Sequence, residues 1–249
     1  MWRFIDCTMN GVINNARHLF TAFGTPVFVH PGFWLLLGFY SLSGLANGRP
    51  MASILSWCLA VFVSLLVHEF GHVYAAFTNG HQSRIVFWML GGLTLSNGRH
   101  DGWRGVWVSA AGPLAGLSLW AICWFLLRPD VFMQGHEVTL VYWFIPNAGL
   151  PLDRTGFHEF WANLCYINLI WSLFNLLPIF PLDGGHIVND LLRMKMRPVE
   201  SERAGAIISI VCCIGVGLFL SQYIQSLFVF LMLGLLAWQN YQRMQAQRW

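Results

Sequence analysis

The chain has 249 residues, of which 56% are hydrophobic and only 10% are charged. Because a soluble globular domain carries about 25% charged residues, this composition excludes a water-soluble globule and indicates an integral membrane protein. The net charge of +3 is small and spread along the chain, which argues against nucleic-acid binding.

The first 30 residues are predicted to form a segment at the membrane interface. Polar and charged residues are mixed among the apolar ones in residues 1–25, so this stretch lacks the apolar core of a cleaved secretory signal. We therefore expect the mature chain to begin at Met1. Residues 9–23 are predicted to form an amphipathic helix on the membrane surface, and Pro26 with the run to His30 predicts a short extended segment.

Six apolar segments are candidate membrane spans, since a helix of about 20 residues crosses a bilayer core of about 30 Å. They cover residues 31–46, 52–78, 106–127, 160–180, 204–221 and 224–240. The sequence thus predicts an all-α polytopic membrane protein with about six transmembrane helices. Residues 31–240 would form a single membrane-embedded domain, and residues 241–249 a cytoplasmic tail.

Basic residues predict the orientation of these spans. If the N-terminus is cytoplasmic, the Lys and Arg residues concentrate on the cytoplasmic side, and only Arg49, Arg128 and Arg154 fall on the opposite side. This excess agrees with the positive-inside rule. We therefore predict that both termini lie in the cytoplasm.

Two segments between the spans have distinct compositions. Residues 84–95 are apolar but too short to cross a bilayer, and Gly91 and Gly92 lie within them, which favours a hairpin or re-entrant segment. Residues 128–159 have mixed polarity and no pattern that indicates an independent domain. The first of these segments is therefore the predicted departure from an all-helical fold.

The second span contains a motif typical of zinc hydrolases, His68-Glu69-Phe70-Gly71-His72. Residues four positions apart share one helix face, so His68 and His72 can bind one metal ion while Glu69 acts as a general base toward a water molecule. The alternative is a polar patch whose hydrogen bonds are satisfied by neighbouring helices. Because polar groups are costly in an apolar helix, we favour the metal site.

Asp183 is the predicted third ligand, since a catalytic zinc ion needs three protein ligands and one open position. This residue follows the fourth span, where Pro178 and Pro181 break the helix and Gly184 allows a sharp turn. In the predicted topology the second and fourth spans both run inward, so the three ligands would lie at one depth. The alternative is that Asp183 caps the helix after the turn.

Together these motifs resemble the site-2 protease family of intramembrane metalloproteases. The resemblance rests on HEFGH at 68–72, AAGPLAG at 110–116 and NLLPIFPLDGGH at 175–186. It implies a three-helix catalytic core at about residues 52–195, one Zn²⁺ ion held by His68, His72 and Asp183, and a small re-entrant β element after the motif helix. It also implies cleavage of peptide bonds within or next to a substrate's transmembrane segment, on the cytoplasmic side.

Further residues in or near these motifs have two alternative roles. Asn175 is predicted to bind substrate backbone or the developing oxyanion, with interhelical hydrogen bonding as the alternative. The small residues at 112–116 are predicted to allow close helix packing. His30 could lie near the site, although an anchoring role is favoured, and His186 is predicted to be structural.

The predicted partners are a transmembrane protein substrate and the lipid bilayer. Many relatives carry an appended PDZ or CBS domain, which this sequence lacks, so we expect control by a regulatory membrane protein or by prior trimming of the substrate. Two rival functions are a membrane metal transporter and an inactive zinc-binding scaffold. Both are disfavoured, because a transport path needs polar residues at several depths and a structural zinc site would replace Glu69 by a fourth ligand.

Overall fold

Long helices and one four-stranded sheet make up the computed structural model, which describes residues 15–89, 91–98, 100–132, 156–222 and 227–245. The strands are β1 (Arg17–Ala22), β2 (Thr25–Val29), β3 (Ser83–Trp88) and β4 (Gly91–Ser96). The helices are α1 (Pro31–Ala46), α2 (Met51–Thr78), α3 (Trp103–Phe132), α4 (Gly156–Asn175), α5 (Asp183–Arg193), α6 (Pro198–Ser221) and α7 (Leu227–Gln245).

The sheet has the order β1-β2-β3-β4, with antiparallel outer pairs and a parallel central pair. The amphipathic helix predicted over residues 9–23 is wrong for 17–22, which form strand β1; residues 1–14 lie outside the described residues. Pairing with β2 explains the difference, since tertiary hydrogen bonds override a weak helical pattern. The extended segment predicted from Pro26 is confirmed as β2.

Strands β3 and β4 form an antiparallel hairpin, as predicted for residues 84–95. Gly91 has a φ of 134°, a conformation that favours glycine, and it opens β4 directly opposite Trp88. Because β2 pairs with β3 in parallel, the hairpin is half of a larger sheet rather than an isolated element. The all-α prediction therefore understated the β structure of this chain.

Helices α2, α3 and α4 pack against one another and form the centre of the molecule. A Cβ atom at Gly71 would collide with the Ala111 carbonyl, and one at Gly116 would collide with the Ser172 hydroxyl. Larger residues at these positions would push the helices apart. The predicted close packing at residues 112–116 is thus confirmed.

Three of the described helices are long and apolar enough to cross a bilayer: α2, the 103–126 part of α3, and α6. Helix α1 is apolar but has only 16 residues. Large hydrophobic side chains are exposed on these helices, including Leu55 and Leu59 on α2 and Val211 and Leu218 on α6. Such surfaces are stable in lipid rather than in water, which supports an integral membrane protein.

The fourth predicted span differs from the observed helix at its end. Helix α4 ends at Asn175, five residues before the predicted boundary at 180. Pro178 and Pro181 account for the early end, because proline lacks the N–H that continues a helix and disfavours helical conformation in the residue before it. Non-helical backbone therefore connects α4 to α5, and we call residues 176–182 the aspartate loop.

Candidate metal centre

The two histidines of the motif lie on one face of helix α2, one turn apart, as their spacing predicts. His68 is 3% exposed and His72 is 6% exposed, and their Nε2 atoms are 3.2 Å apart. The rings stand nearly perpendicular, with an interplanar angle of 79°. Both imidazoles therefore present the same nitrogen to one point beside the helix.

Two neighbours hold His72 in this orientation. Its Nδ1 is 2.7 Å from the Val108 carbonyl of α3, so Nδ1–H donates that hydrogen bond and Nε2 keeps a free lone pair. A Cβ atom at Gly112 would collide with the His72 ring. Helix α3 thus determines both the tautomer and the position of this imidazole.

Asp183 reaches the histidines from the opposite side. Its Oδ2 is 3.1 Å from His68 Nε2, and its Oδ1 is 3.3 Å from His72 Nε2. Asp183 is the first residue of α5, and the N-cap position is occupied by Leu182, so the alternative role as a capping residue does not describe its carboxylate. The predicted convergence of His68, His72 and Asp183 is what the structure contains.

This donor set fits a zinc ion. The ligand atoms of His68, His72 and Asp183 all lie within 4.8 Å of one another. Ligands about 2.1 Å from a tetrahedral zinc ion lie about 3.4 Å apart, close to the separations observed here. Asp183 Oδ2 is a buried oxygen that faces His68 Nε2 at 3.1 Å, so its negative charge is available to a cation held between these atoms.

Glu69 contacts the sheet rather than the histidine face. It is 4% exposed, and the Thr94 hydroxyl of β4 donates a 2.7 Å hydrogen bond to its Oε2. A Cβ atom at Gly92 would collide with the Glu69 carboxylate, so the backbone of β4 passes directly beside it. The strand therefore holds this buried carboxylate next to the two candidate ligand histidines on α2.

The other predicted residues lie outside the cluster. Asn175 is 8% exposed at the end of α4, and its Nδ2 donates to the Trp171 carbonyl at 2.9 Å. His30 caps helix α1, where its Nδ1 accepts a hydrogen bond from the Gly32 amide at 3.0 Å, which supports the anchoring role. The exposed His186 ring packs against Phe180, with the centroids 4.8 Å apart.

Two histidines to which no role was predicted form a separate pair. The rings of His81 and His100 have centroids 4.7 Å apart in the loops next to β3 and β4. Burial, and then the proximity of His81, lower the pKa of His100. This pair is distinct from the metal centre.

Residues 56–218 of this chain match the sequence model of Peptidase family M50. These residues include α3, α4, all of α2 except its first five residues, and all three candidate ligands. The chain belongs to peptidase family M50. The predicted resemblance to site-2 proteases is thereby confirmed.

Relatives of this M50 chain carry the names of zinc metalloproteases. The chain is 30% identical over 191 residues to "Putative zinc metalloprotease sll0528" of Synechocystis sp., covering 72% of this chain and 45% of the relative. It is 30% identical over 185 residues to "Putative zinc metalloprotease YwhC" of Bacillus subtilis, covering 61% and 78%. It is 28% identical over 197 residues to "Zinc metalloprotease MJ0392" of Methanocaldococcus jannaschii, covering 78% and 50%. The chain thus spans about half the length of the first and third relatives.

A solved structure shares the fold of this M50 chain. "Site-2 Protease from Methanocaldococcus jannaschii" matches with a TM-score of 0.61 and 22% identity, covering 92% of this chain and 95% of the other. At this identity the match concerns the fold alone. Family, fold and apolar helices together establish an integral membrane protein of peptidase family M50, and the cluster of His68, His72 and Asp183 could hold the predicted metal ion.

Some site residues of the M50 chain escaped the sequence prediction. Thr94 and Gly92 are two positions apart in β4 and therefore lie on the same side of the strand, which faces Glu69. The alternation of side chains along the strand can be predicted from the sequence, but the helix that the strand faces cannot. The Val108 carbonyl has no signal in the sequence, because any residue type could supply it.

Proposed function

We propose that this M50 chain is an intramembrane zinc endopeptidase that hydrolyses peptide bonds within or next to transmembrane segments of protein substrates. His68, His72 and Asp183 would hold the ion. The observation that carries the proposal is the convergence of two buried histidines and the half-buried Asp183 beside the buried Glu69, in a chain whose long apolar helices suit a bilayer. Zinc bound at such a site acidifies a water molecule and polarises a carbonyl group.

Glu69 is the proposed general base. Its Oε2 accepts the hydrogen bond from Thr94, so the other oxygen, Oε1, is the one we assign to the attacking water. Glu69 takes a proton from that water and later passes it to the leaving amine. Thr94 transfers no proton in this scheme; its hydrogen bond serves only to orient the Glu69 carboxylate.

Strand β4 is the proposed site of substrate pairing. Among the described residues it is an edge strand of the sheet, with strand pairing on one side, so we propose that its other side pairs with an extended substrate. The same strand touches Glu69, so a substrate paired there would lie next to the base. A helical substrate segment would have to unwind first, since its amide groups are hydrogen-bonded within the helix.

We infer the same topology as from the sequence: six spans, both termini in the cytoplasm and an active site toward the cytoplasmic side. Residues 52–195 would form the catalytic core, and a regulatory membrane protein would control access. Asn175 remains the proposed contact for substrate backbone or oxyanion. Its Nδ2 is shared with the Trp171 carbonyl, so this role requires the amide to rotate or to serve both acceptors.

The proposal is tested with the purified wild type, Glu69→Gln and the matched control Glu159→Gln. Glu159 lies at the other end of the bundle, where it accepts a hydrogen bond from Ser53 at 2.9 Å. Each protein is incubated in detergent with single-span membrane peptides, with and without a chelator, and the products are identified by mass spectrometry. We expect wild type and Glu159→Gln to cleave, and Glu69→Gln to lose about 10³-fold in rate while keeping its zinc.

Two results would contradict the proposal. Undiminished cleavage by Glu69→Gln would remove Glu69 from the mechanism. Cleavage that survives complete removal of zinc would remove the metal centre from it. Mass spectrometry also locates the scissile bond, which must lie within or beside the apolar segment of the peptide.

A further inference from the structure

Two buried polar side chains in the last two helices have no role in the proposed mechanism. Ser209 lies on α6 and Asn240 on α7, and each is 1% exposed. Both lie outside the predicted catalytic core at residues 52–195. Buried polar groups in apolar helices are costly and usually have a specific partner, so their contacts indicate what they do.

Both side chains bind the backbone of the same residue, Phe180 in the aspartate loop. The Phe180 amide donates to Ser209 Oγ at 3.0 Å, and Asn240 Nδ2 donates to the Phe180 carbonyl at 2.6 Å. Each side chain is itself held by its own helix, because Ser209 Oγ donates to the Gly205 carbonyl at 2.8 Å and Asn240 Nδ2 to the Leu236 carbonyl at 2.9 Å. Two helices thus hold Phe180 from both of its peptide groups.

Side-chain packing holds the loop at the same place. Ile179 is fully buried and packs with Cys213 of α6 and Leu233 of α7. The Arg243 guanidinium carbon lies 4.0 Å from the centre of the Phe180 ring, a cation–π contact. The α6–α7 hairpin therefore determines where the middle of the aspartate loop lies.

The position of Phe180 is passed to Asp183 through tightly packed backbone. Only Pro181 and Leu182 separate the two residues. A Cβ atom at Gly185 would collide with the Phe180 amide, and one at Gly184 would collide with the Leu176 and Leu177 carbonyls. Since the backbone of the loop and the start of α5 are in direct contact at these glycines, we expect a shift of Phe180 to move Asp183.

We propose that Ser209 and Asn240 are positioning residues for Asp183, so that the α6–α7 hairpin is part of the metal centre although it donates no ligand. The inference rests on the proposed ligand set. The residues would act through Phe180, and their loss would loosen the third ligand while leaving His68 and His72 in place on α2.

The competing explanation is that Ser209 and Asn240 only satisfy two backbone groups of a non-helical loop at membrane depth. In that case their removal lowers the free energy of unfolding but leaves the positions of His68, His72 and Asp183 unchanged. The two explanations differ in the rate of zinc release and in the ligand geometry, which stability measurements do not report.

The experiment measures zinc release from the full-length protein in detergent to a colorimetric chelator, for Ser209→Ala, Asn240→Leu and the double variant. The matched controls are Ser201→Ala and Asn163→Leu. Ser201 is a fully buried serine of α6 whose hydroxyl donates to the Pro198 carbonyl. Asn163 lies on α4, and its Nδ2 donates to the Ser56 hydroxyl of α2 at 3.4 Å. Asp183→Ala serves as the reference for complete loss of the third ligand.

We expect each positioning variant to release zinc about 10-fold faster than wild type or more, in the range measured for residues that orient metal ligands, and the controls to match wild type. The Co²⁺-substituted protein gives a second readout, because its visible absorption depends on ligand geometry. The spectra of Ser209→Ala and Asn240→Leu should move toward that of Asp183→Ala. If Asn240→Leu fails to fold, Ser209→Ala decides, since it removes a single oxygen atom.

The outcomes separate this inference from the function on which it rests. If Asp183→Ala retains zinc as firmly as wild type, the ligand set itself is wrong. If Asp183→Ala releases zinc rapidly while Ser209→Ala and Asn240→Leu match their controls in both readouts, the positioning role is overturned and the ligand set stands.

Discussion

The two sides of the metal centre are built in different ways. His68 and His72 come from a single uninterrupted helix, α2, whose geometry places both on one face, while contacts from α3 orient the His72 ring. Asp183 follows a non-helical loop that contains Pro178 and Pro181, and its position depends on contacts with α6 and α7. One side of the site is thus determined locally and the other by distant parts of the chain.

This difference indicates where the centre is most easily disturbed. A helix within a bilayer keeps its backbone hydrogen bonds, so its two histidines stay aligned even when neighbouring contacts weaken. The aspartate loop has no such helical bonds at Phe180, so by our inference the carboxylate of Asp183, the residue after the loop, depends on α6 and α7 for its position. We therefore expect variants that leave the ligands intact to weaken the aspartate side first.

Removing a ligand from either side should have the largest effect. His72→Ala and Asp183→Ala should each lower bound zinc from about one ion per chain to less than about a tenth, because a three-ligand site loses its chelation. Metal analysis of protein purified in detergent measures this, with His81→Ala and Asp101→Asn as matched controls in the loops. Full zinc occupancy in either ligand variant would refute the convergence on which the comparison rests.

Removing the contact between Glu69 and the sheet should have an intermediate effect. Thr94→Val keeps the shape of the side chain but removes the donor to Oε2, and a hydrogen bond to a charged group is worth about 1.5–3 kcal/mol. We expect kcat on a cleaved peptide to fall about 10-fold or more, with KM and zinc content unchanged, and Thr94→Ser to recover most of the rate. A Thr94→Val enzyme as fast as wild type would show that Glu69 needs no help from β4.

Overpacking the contact between α3 and α4 should have the smallest effect on the site, because no ligand or base is changed. Gly116→Ala places a methyl group against the Ser172 hydroxyl and should lower the free energy of unfolding by about 1–3 kcal/mol through overpacking. The matched control is Gly215→Ala on α6, where nothing lies within 4 Å of the added Cβ. Thermal unfolding in detergent compares them, and equal midpoints for the two variants would contradict the close approach of α3 and α4.

Much of the candidate site could be predicted from sequence because its residues stand in short, chemically specific motifs. Residues four apart, such as His68 and His72, lie on the same face of any α-helix. The prolines before Asp183 predicted the helix break that the structure contains. The strand at residues 17–22 could not be predicted, because its partner β2 is stabilised by β3, which lies more than 50 residues further on. Local preference was too weak there to decide against a helix.

The membrane class, the candidate metal motif and the proposed general base could all be predicted from the amino-acid sequence, since they depend on composition and on spacing within one element. Three contacts became visible only in the packed fold: Thr94 with Glu69, the Val108 carbonyl with His72, and Phe180 with the two later helices. These contacts join residues far apart in the chain, often through backbone atoms that every residue type carries. No sequence pattern marks such contacts, and only the packed fold brings their atoms within hydrogen-bonding distance.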